Sequence, residues 1–296
     1  MMTLAHISDV HLAPLPPVKP TELLSKRLVG YANWKLRRAR TMAGDGLPAM
    51  IAHLQASRPD LVAVAGDLTN LALPAEIDRA LVWLEGVGDP RRVCAIPGNH
   101  DAYVRGALDR ATATWGAYMR GETLDSAPFP FVRRIGDVAV ICCSSAIATP
   151  PWVAAGNFDA PQAERLGRCL RLLSDGGYFR VVMIHHPPNP EGWNARHSLW
   201  NARRFRDVVR RHGAELVLHG HTHKSSMHAI AGPGGEIPVV GVAAGGATLG
   251  HATDDPARYN LFRIERVGAA WSVTMREFGF QRLGTDIVLR LQMRIY

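Results

Sequence analysis

Five times along this chain a short apolar run breaks off in a cluster of Asp, Asn and His, and few folds can accommodate that recurrence. Residues 4–7 lead into Ser8-Asp9-Val10-His11, residues 61–65 into Gly66-Asp67, and residues 92–96, past Pro97, into Gly98-Asn99-His100-Asp101. Residues 181–184 lead into His185-His186-Pro187 and residues 216–218 into His219-Gly220-His221-Thr222-His223. With 138–144 and 239–243 these runs read as strands. Between them, 46–58, 74–87, 105–119, 161–174 and 198–212 carry helical spacing, as at Ile77, Leu81 and Leu84. Strands alternating with helices predict an α/β fold.

Two further segments, Tyr259 to Glu265 and Trp271 to Phe278, alternate apolar and polar around Gly268, which predicts a hairpin on a half-exposed sheet. Two stacked sheets flanked by helices are therefore expected. No internal repeat or low-complexity tract divides the chain, so residues 1–296 are read as a single domain. The irregular piece is an insertion at about 13–45.

In open α/β sheets ligands bind where strands end at their carboxyl termini. All five polar clusters stand there. Taken singly each has an ordinary explanation: Asp9 as a turn residue, Asp67 as a loop or helix cap, His185 as a core histidine before a proline pair. Five in order at strand exits do not. Carboxylate, imidazole and amide oxygen without thiolate suit divalent ions such as Mn²⁺, Fe²⁺ or Zn²⁺. Seven such side chains are too many for one tetrahedral ion.

The ordered series Asp9-x-His11, Gly66-Asp67, Gly98-Asn99-His100-Asp101, His185 and Gly220-His221-x-His223 resembles the signature of the calcineurin-like metallophosphoesterases. It extends from 9 to 223 with no element missing. The resemblance implies a four-layer α/β/β/α sandwich with two mixed β-sheets, the metal site lying at the C-terminal ends of the strands. It implies that Asp9, His11 and His223 hold one divalent ion, that Asn99, His185 and His221 hold the other, and that Asp67 bridges them. His100 would lie over the site as an acid or phosphate-oxygen donor, with Asp101 holding its tautomer. His186 would touch the substrate or pack beside it.

The implied reaction is metal-dependent hydrolysis of a phosphodiester or phosphoanhydride. Two branches differ in substrate. The UDP-2,3-diacylglucosamine pyrophosphatases act on a lipid nucleotide, and one branch of them has Arg where this chain has His100. The intact Gly-Asn-His-Asp is similar to the class III cyclic nucleotide phosphodiesterases. Relatives that serve as protein-binding scaffolds have lost ligands, whereas all are present here, so a scaffold is not expected.

The insertion bears on that choice. Lys19, Lys26, Arg27, Lys35, Arg37, Arg38 and Arg40 alternate with Leu23, Leu24, Leu28, Val29, Tyr31, Trp34 and Leu36, giving a basic amphipathic segment beside Asp9 and His11. It reads either as a surface helix packed on the domain, or as a substrate lid or membrane contact through 19–40. Lys26, Arg27, Trp34 and His197 are the candidate substrate contacts, with Trp193 and His251 on neighbouring loops.

The net charge of +8 and a pI near 9.7 fit an anionic phosphate-ester substrate. Nucleic acid is not expected as a partner, and nothing indicates an oligomeric state. No apolar run reaches the length of a membrane span. Cys94, Cys142, Cys143 and Cys169 form no CxxC pair and no secretory leader is read before them, so buried thiols in the cytoplasm are expected, peripheral to the inner face of a membrane if the insertion docks there.

Overall fold

The computed structural model describes residues 1–38, 46–188, 194–247, 255–280 and 286–296. Residues 39–45 of the insertion, Trp193 and His251 lie outside the described residues.

The first strand, β1 (Met2–Ile7), pairs in parallel with β2 (Leu61–Val64), and β2 pairs in parallel with β3 (Val93–Ala95). Every residue of β2 and β3 is buried, the pattern of strands covered on both faces. On its other side β1 pairs antiparallel with β12 (Arg258–Val267), which continues into β13 (Ala270–Phe280) and β14 (Ile287–Arg294). The hairpin foreseen around Gly268 is thus β12–β13. The strand order of this sheet is β14-β13-β12-β1-β2-β3.

A second six-stranded sheet places β10 (Ser226–Gly232), β11 (Gly235–Gly241), β9 (Leu216–His219), β7 (Phe179–Met183), β5 (Val138–Cys142) and β4 (Phe131–Ile135) in that order. Period-2 alternation then divides the core. Val140, Val181, Leu216 and Leu218 join Leu4 and Phe262 in one apolar cluster, while Ala139, Ile141, Val182 and Val217 join a second. The first cluster also takes in Met50 and Leu54 of helix Gly46–Ala56 and Ile77 and Leu84 of helix Pro74–Val87. The second takes in Leu166 and Leu170 of helix Ala160–Asp175 and Phe205 and Val209 of helix Ala202–His212. The layers are helix, sheet, sheet, helix, as the sequence predicts.

The departures have local causes. The helix expected over 198–212 starts at Ala202 because Leu199–Trp200 pairs in parallel with Gly156–Asn157 as a small separate sheet. The helix expected over 105–119 is confined to Ala107–Thr114. Strands β4, β10 and β14 are not foreseen: β10 is largely exposed and β14 is a half-exposed edge strand, so neither shows clean alternation.

The insertion forms a 3₁₀ turn, Pro20–Leu23, then a helix, Arg27–Asn33, and a π-helical turn, Trp34–Arg38. The expectation of a packed surface helix is met only in part. Val29 and Tyr31 are half-buried, but Leu24, Leu28 and Leu36 remain in solvent. The helix is tied down by polar contacts, Arg27 Nε donating to the Leu71 carbonyl at 2.9 Å and its guanidinium also to the Ala72 carbonyl. At Gly30 it approaches so closely that a Cβ would overlap the Tyr103 hydroxyl and Leu71. All four cysteines are buried, unpaired thiols. Among the described residues no helix is long and apolar enough to cross a membrane.

The chain leaving β2 carries Asp67, and one buried carboxylate shapes it. Glu76, in the first turn of helix Pro74–Val87, accepts hydrogen bonds from the backbone N–H of Asn70 at 2.8 Å and of Leu71 and Leu73 at 3.0 Å each. A buried donor left without a partner costs about 1–3 kcal/mol. Glu76→Ala is expected to lower the free energy of unfolding by about 3 kcal/mol or more, read as a shift in the urea midpoint.

Candidate metal centre

Three of the five strand exits, those of β1, β2 and β9, break abruptly, and the backbone shows how. Asp9, His11, Asp67, His221 and His223 all adopt left-handed conformations, with φ of 53°, 40°, 55°, 67° and 54°. Such conformations cost non-glycine residues on the order of 1–3 kcal/mol each and persist where the surroundings over-determine them. Here the loops brace one another. The Asp9 N–H donates to the Gly66 carbonyl at 2.9 Å, His11 N–H to Asp67 at 3.0 Å and Gly220 N–H to His185 at 3.1 Å. Gly98 and Gly220 lie against the Asp67 and Asp9 carboxylates so tightly that no Cβ fits.

The two carboxylates are oriented in the same way. Asp9 Oδ2 accepts the His221 N–H at 2.9 Å, and Asp67 Oδ1 accepts the His100 N–H at 2.7 Å. One oxygen of each is thereby occupied by backbone. The other turns inward, and Asp9 Oδ1 is fully buried without a hydrogen-bond partner.

The imidazoles follow the same rule. His11 Nδ1 meets the Thr69 carbonyl at 3.0 Å, His185 Nδ1 the Ala65 carbonyl at 2.7 Å, and His221 Nε2 the His197 carbonyl at 3.0 Å. A carbonyl only accepts, so each of these nitrogens carries the proton and the opposite nitrogen presents a lone pair. Those lone pairs converge. His11 Nε2 lies 3.2 Å from His223 Nε2, and His223 Nε2 lies 3.3 Å from Asp9 Oδ1. His185 Nε2 and His221 Nδ1 lie 3.2 Å and 2.9 Å from Asn99 Oδ1. Asp67 Oδ2 stands between the two groups, 3.7 Å from His11 Nε2 and 3.4 Å from His185 Nε2.

Acceptor facing acceptor at such distances is repulsive unless a cation stands among them. The same demand appears in the electrostatics. Burial works to raise the Asp9 and Asp67 carboxyls, but the neighbouring His223 and His185 hold both well below the usual carboxylate range. Burial works to lower His185, yet the Asp67 and Asp9 charges raise it to about 9. The pocket requires positive charge: without a cation a protonated His185 supplies part of it, and a divalent ion would displace that proton and supply the whole. The residues present therefore fit such ions, with Asp9, His11 and His223 on one side, Asn99, His185 and His221 on the other, and Asp67 between.

Three sequence expectations change. Asp101 does not face the His100 ring: His100 Nδ1 meets the Asn70 carbonyl at 2.6 Å. The Asp101 carboxylate instead accepts from the N–H of Gly98 and Leu68 and from the N–H and hydroxyl of Thr69, knitting two site loops together. Burial and the Asp67 charge push its carboxyl up to about 7. Of the two expectations for His186, packing is the one its contacts fit: it donates from Nε2 to the Ala154 carbonyl at 3.1 Å and accepts the Ser145 hydroxyl at 2.7 Å. Arg27 is spent on the Leu71 and Ala72 carbonyls and, like Trp34, is not among the residues lining the adjacent cavity.

That cavity, about 570 Å³, opens beside Asn99 and His100 and is lined further by Lys26, Tyr103, Trp152, Arg196 and His197. Lys26 Nζ spans it, donating to the Thr149 hydroxyl at 2.7 Å and the Val153 carbonyl at 2.9 Å and lying 4.6 Å over the Tyr103 ring. Burial lowers this amine to about 8. The Thr69, Asn70 and Ala65 carbonyls that orient the imidazoles leave no mark in the sequence, since any residue carries one. Glu76 does leave a mark, standing three residues after the helix cap.

Comparison with known proteins agrees with this geometry. The calcineurin-like phosphoesterase family matches residues 2–225. A protein from Rhodococcus erythropolis, described as a probable cyclic nucleotide phosphodiesterase, is 26% identical over 252 residues, 80% of this chain and 68% of that one. A second of the same description from Synechococcus is 29% identical over 181 residues, 60% of this chain and 63% of that one. Among solved structures, a dimetal phosphatase from Danio rerio superposes with a TM-score of 0.62 at 13% identity, covering 97% of this chain and 98% of that one, a likeness of fold alone. The converging lone pairs and the family match over residues 2–225 lead to one conclusion: the chain belongs to the calcineurin-like phosphoesterases and is a metal-dependent hydrolase of phosphoric esters.

Proposed function

We propose that this chain hydrolyses nucleotide phosphodiesters, cyclic nucleoside monophosphates among them. The observation that carries the reading is the pair of lone-pair clusters sharing Asp67 Oδ2, with a cavity of about 570 Å³ adjoining them at Asn99 and His100, a volume ordinary for a ligand of nucleotide size. The intact His100 and the description of both sequence relatives favour a diester over a lipid pyrophosphate.

Asp9, His11 and His223 would hold one divalent ion and Asn99, His185 and His221 another, with Asp67 between; bound there, they would supply Lewis acidity toward the phosphoryl group and the attacking water. The all-oxygen-and-nitrogen donor set suits Mn²⁺, Fe²⁺ or Zn²⁺. The chain's own residues do the rest. His100 donates from Nδ1 to the Asn70 carbonyl, which leaves Nε2 for the site; with the ring doubly protonated, Nε2–H would donate to phosphate oxygens or pass its proton to the leaving alkoxide, leaving the neutral ring. Asp101 holds the loop bearing His100 against the loop bearing Asp67. Lys26, fixed across the cavity, places a positive charge near the phosphate.

A second reading draws on the exposed Leu24 and Leu28, 84% and 58% exposed beside Lys26. Their position favours a lipid nucleotide whose acyl chains lie along the insertion, with 19–38 touching a membrane surface from the cytoplasm.

Metal-free protein reconstituted with Mn²⁺ and given bis-p-nitrophenyl phosphate, p-nitrophenyl phosphate, cyclic AMP and UDP-diacylglucosamine separates the readings. Cyclic AMP and the synthetic diester are expected to turn over faster than the monoester. Preference for the lipid nucleotide moves the assignment to the second reading, and no turnover with Mn²⁺, Fe²⁺ or Zn²⁺ sinks both. His100→Ala is expected to retain metal by elemental analysis while kcat falls by about 10²- to 10⁴-fold. Asp67→Ala, which removes the shared carboxylate, is expected to lose metal and activity together.

A further inference from the structure

Trp152 is placed as no folding requirement explains. Its side chain is 72% exposed, so it adds almost nothing to the core, and its backbone is left-handed with φ of 61°. A strained backbone and a hydrated indole are both unfavourable. Yet the loop that carries it is firmly held. Ser145 is hydrogen-bonded to His186, the Ala154 carbonyl accepts from His186 and the Ala154 N–H donates to the Arg196 carbonyl at 2.7 Å. The Val153 carbonyl accepts from both Lys26 and Thr149. The indole is thus presented at the rim of the cavity that also exposes Asn99 and His100, on a segment braced by residues of the site itself.

An aromatic ring carried on a braced backbone at the mouth of a polar pocket, and not buried in the core, is available to a flat partner. Around it Asn33, Asn194 and Arg196 line the cavity, groups that match the hydrogen-bonding edges of a heterocycle and reject an acyl chain.

We propose that Trp152 is the specificity-determining residue of this enzyme, the platform on which the nucleobase of a nucleotide ester stacks. The inference rests on the phosphodiesterase reading above and adds the group that selects nucleotides among diesters.

The test compares the Mn²⁺-loaded wild type with Trp152→Ala and Trp152→Phe on cyclic AMP and on glycerophosphoethanolamine, a diester without a ring. Binding of 5′-AMP is measured separately by calorimetry. Base–aromatic stacking corresponds to a factor of about 5 to 150. The ratio of kcat/KM for cyclic AMP to that for glycerophosphoethanolamine is expected to fall by about this factor in Trp152→Ala, mainly through KM. Trp152→Phe is expected to recover most of it, and the 5′-AMP Kd is expected to move in parallel. An unchanged ratio, whether both substrates suffer alike or neither does, overturns the inference and leaves the phosphodiesterase reading standing. A wild type that cleaves glycerophosphoethanolamine but neither cleaves cyclic AMP nor binds 5′-AMP overturns the inference and the nucleotide part of the reading, leaving only diester hydrolysis. If no ester is cleaved yet 5′-AMP binds in a Trp152-dependent way, the phosphodiesterase reading fails and the platform stands; no cleavage and no binding overturns both.

Discussion

Everything at this site depends on lone pairs forced to face one another. Backbone groups occupy the outer side of the ligand candidates: carbonyls hold one nitrogen of His11, His185 and His221, and N–H groups hold one oxygen of Asp9 and Asp67. What is left points inward and finds only other acceptors. In a low-dielectric interior that arrangement is unfavourable on its own, and it becomes favourable once cations occupy it. A bound divalent ion would offset that cost, which would couple metal affinity to folding.

The cost is carried by a scaffold built to resist it. Strands β1, β2, β3, β7 and β9 all end at one edge of the sandwich, with the apolar cluster between the sheets directly behind them. Left-handed backbone at five of the ligand candidates bends each side chain out of the strand alternation and into the common space. Loops then lock through Glu76 and Asp101, two buried carboxylates whose work is to satisfy backbone N–H groups rather than to touch substrate. Asp101 is instructive: adjacency to His100 in the chain made it read as a tautomer-fixing partner, and the carbonyl of Asn70 performs that task instead.

The cavity beside the site is built from different parts of the chain than the metal-facing atoms. Segments 26–33, 149–154 and 194–197 come from three regions distant in sequence and meet beside Asn99 and His100, through Lys26 on Thr149 and Val153 and through the Ala154 N–H on the Arg196 carbonyl. These connections cross between loops rather than within elements, which allows the rim to vary in chemistry over an unchanged centre.

How much was legible from the residues alone follows from what each feature depends on. The alternation of apolar runs with helical spacing determined the α/β layers, because burying one face per element admits few arrangements, and the clustering of Asp, Asn and His at strand exits determined the ligand candidates, because those side chains act by their own chemistry. Strands β10 and β14 escaped because largely exposed strands carry no alternating signal. The placements of His186, Arg27 and Trp152 were decided only by tertiary structure. A histidine reads the same whether it faces a cavity or the Ala154 carbonyl, an arginine the same whether it meets a phosphate or Leu71, and a tryptophan the same in a core or on a rim; what distinguishes them is which backbone from a distant part of the chain arrives beside them.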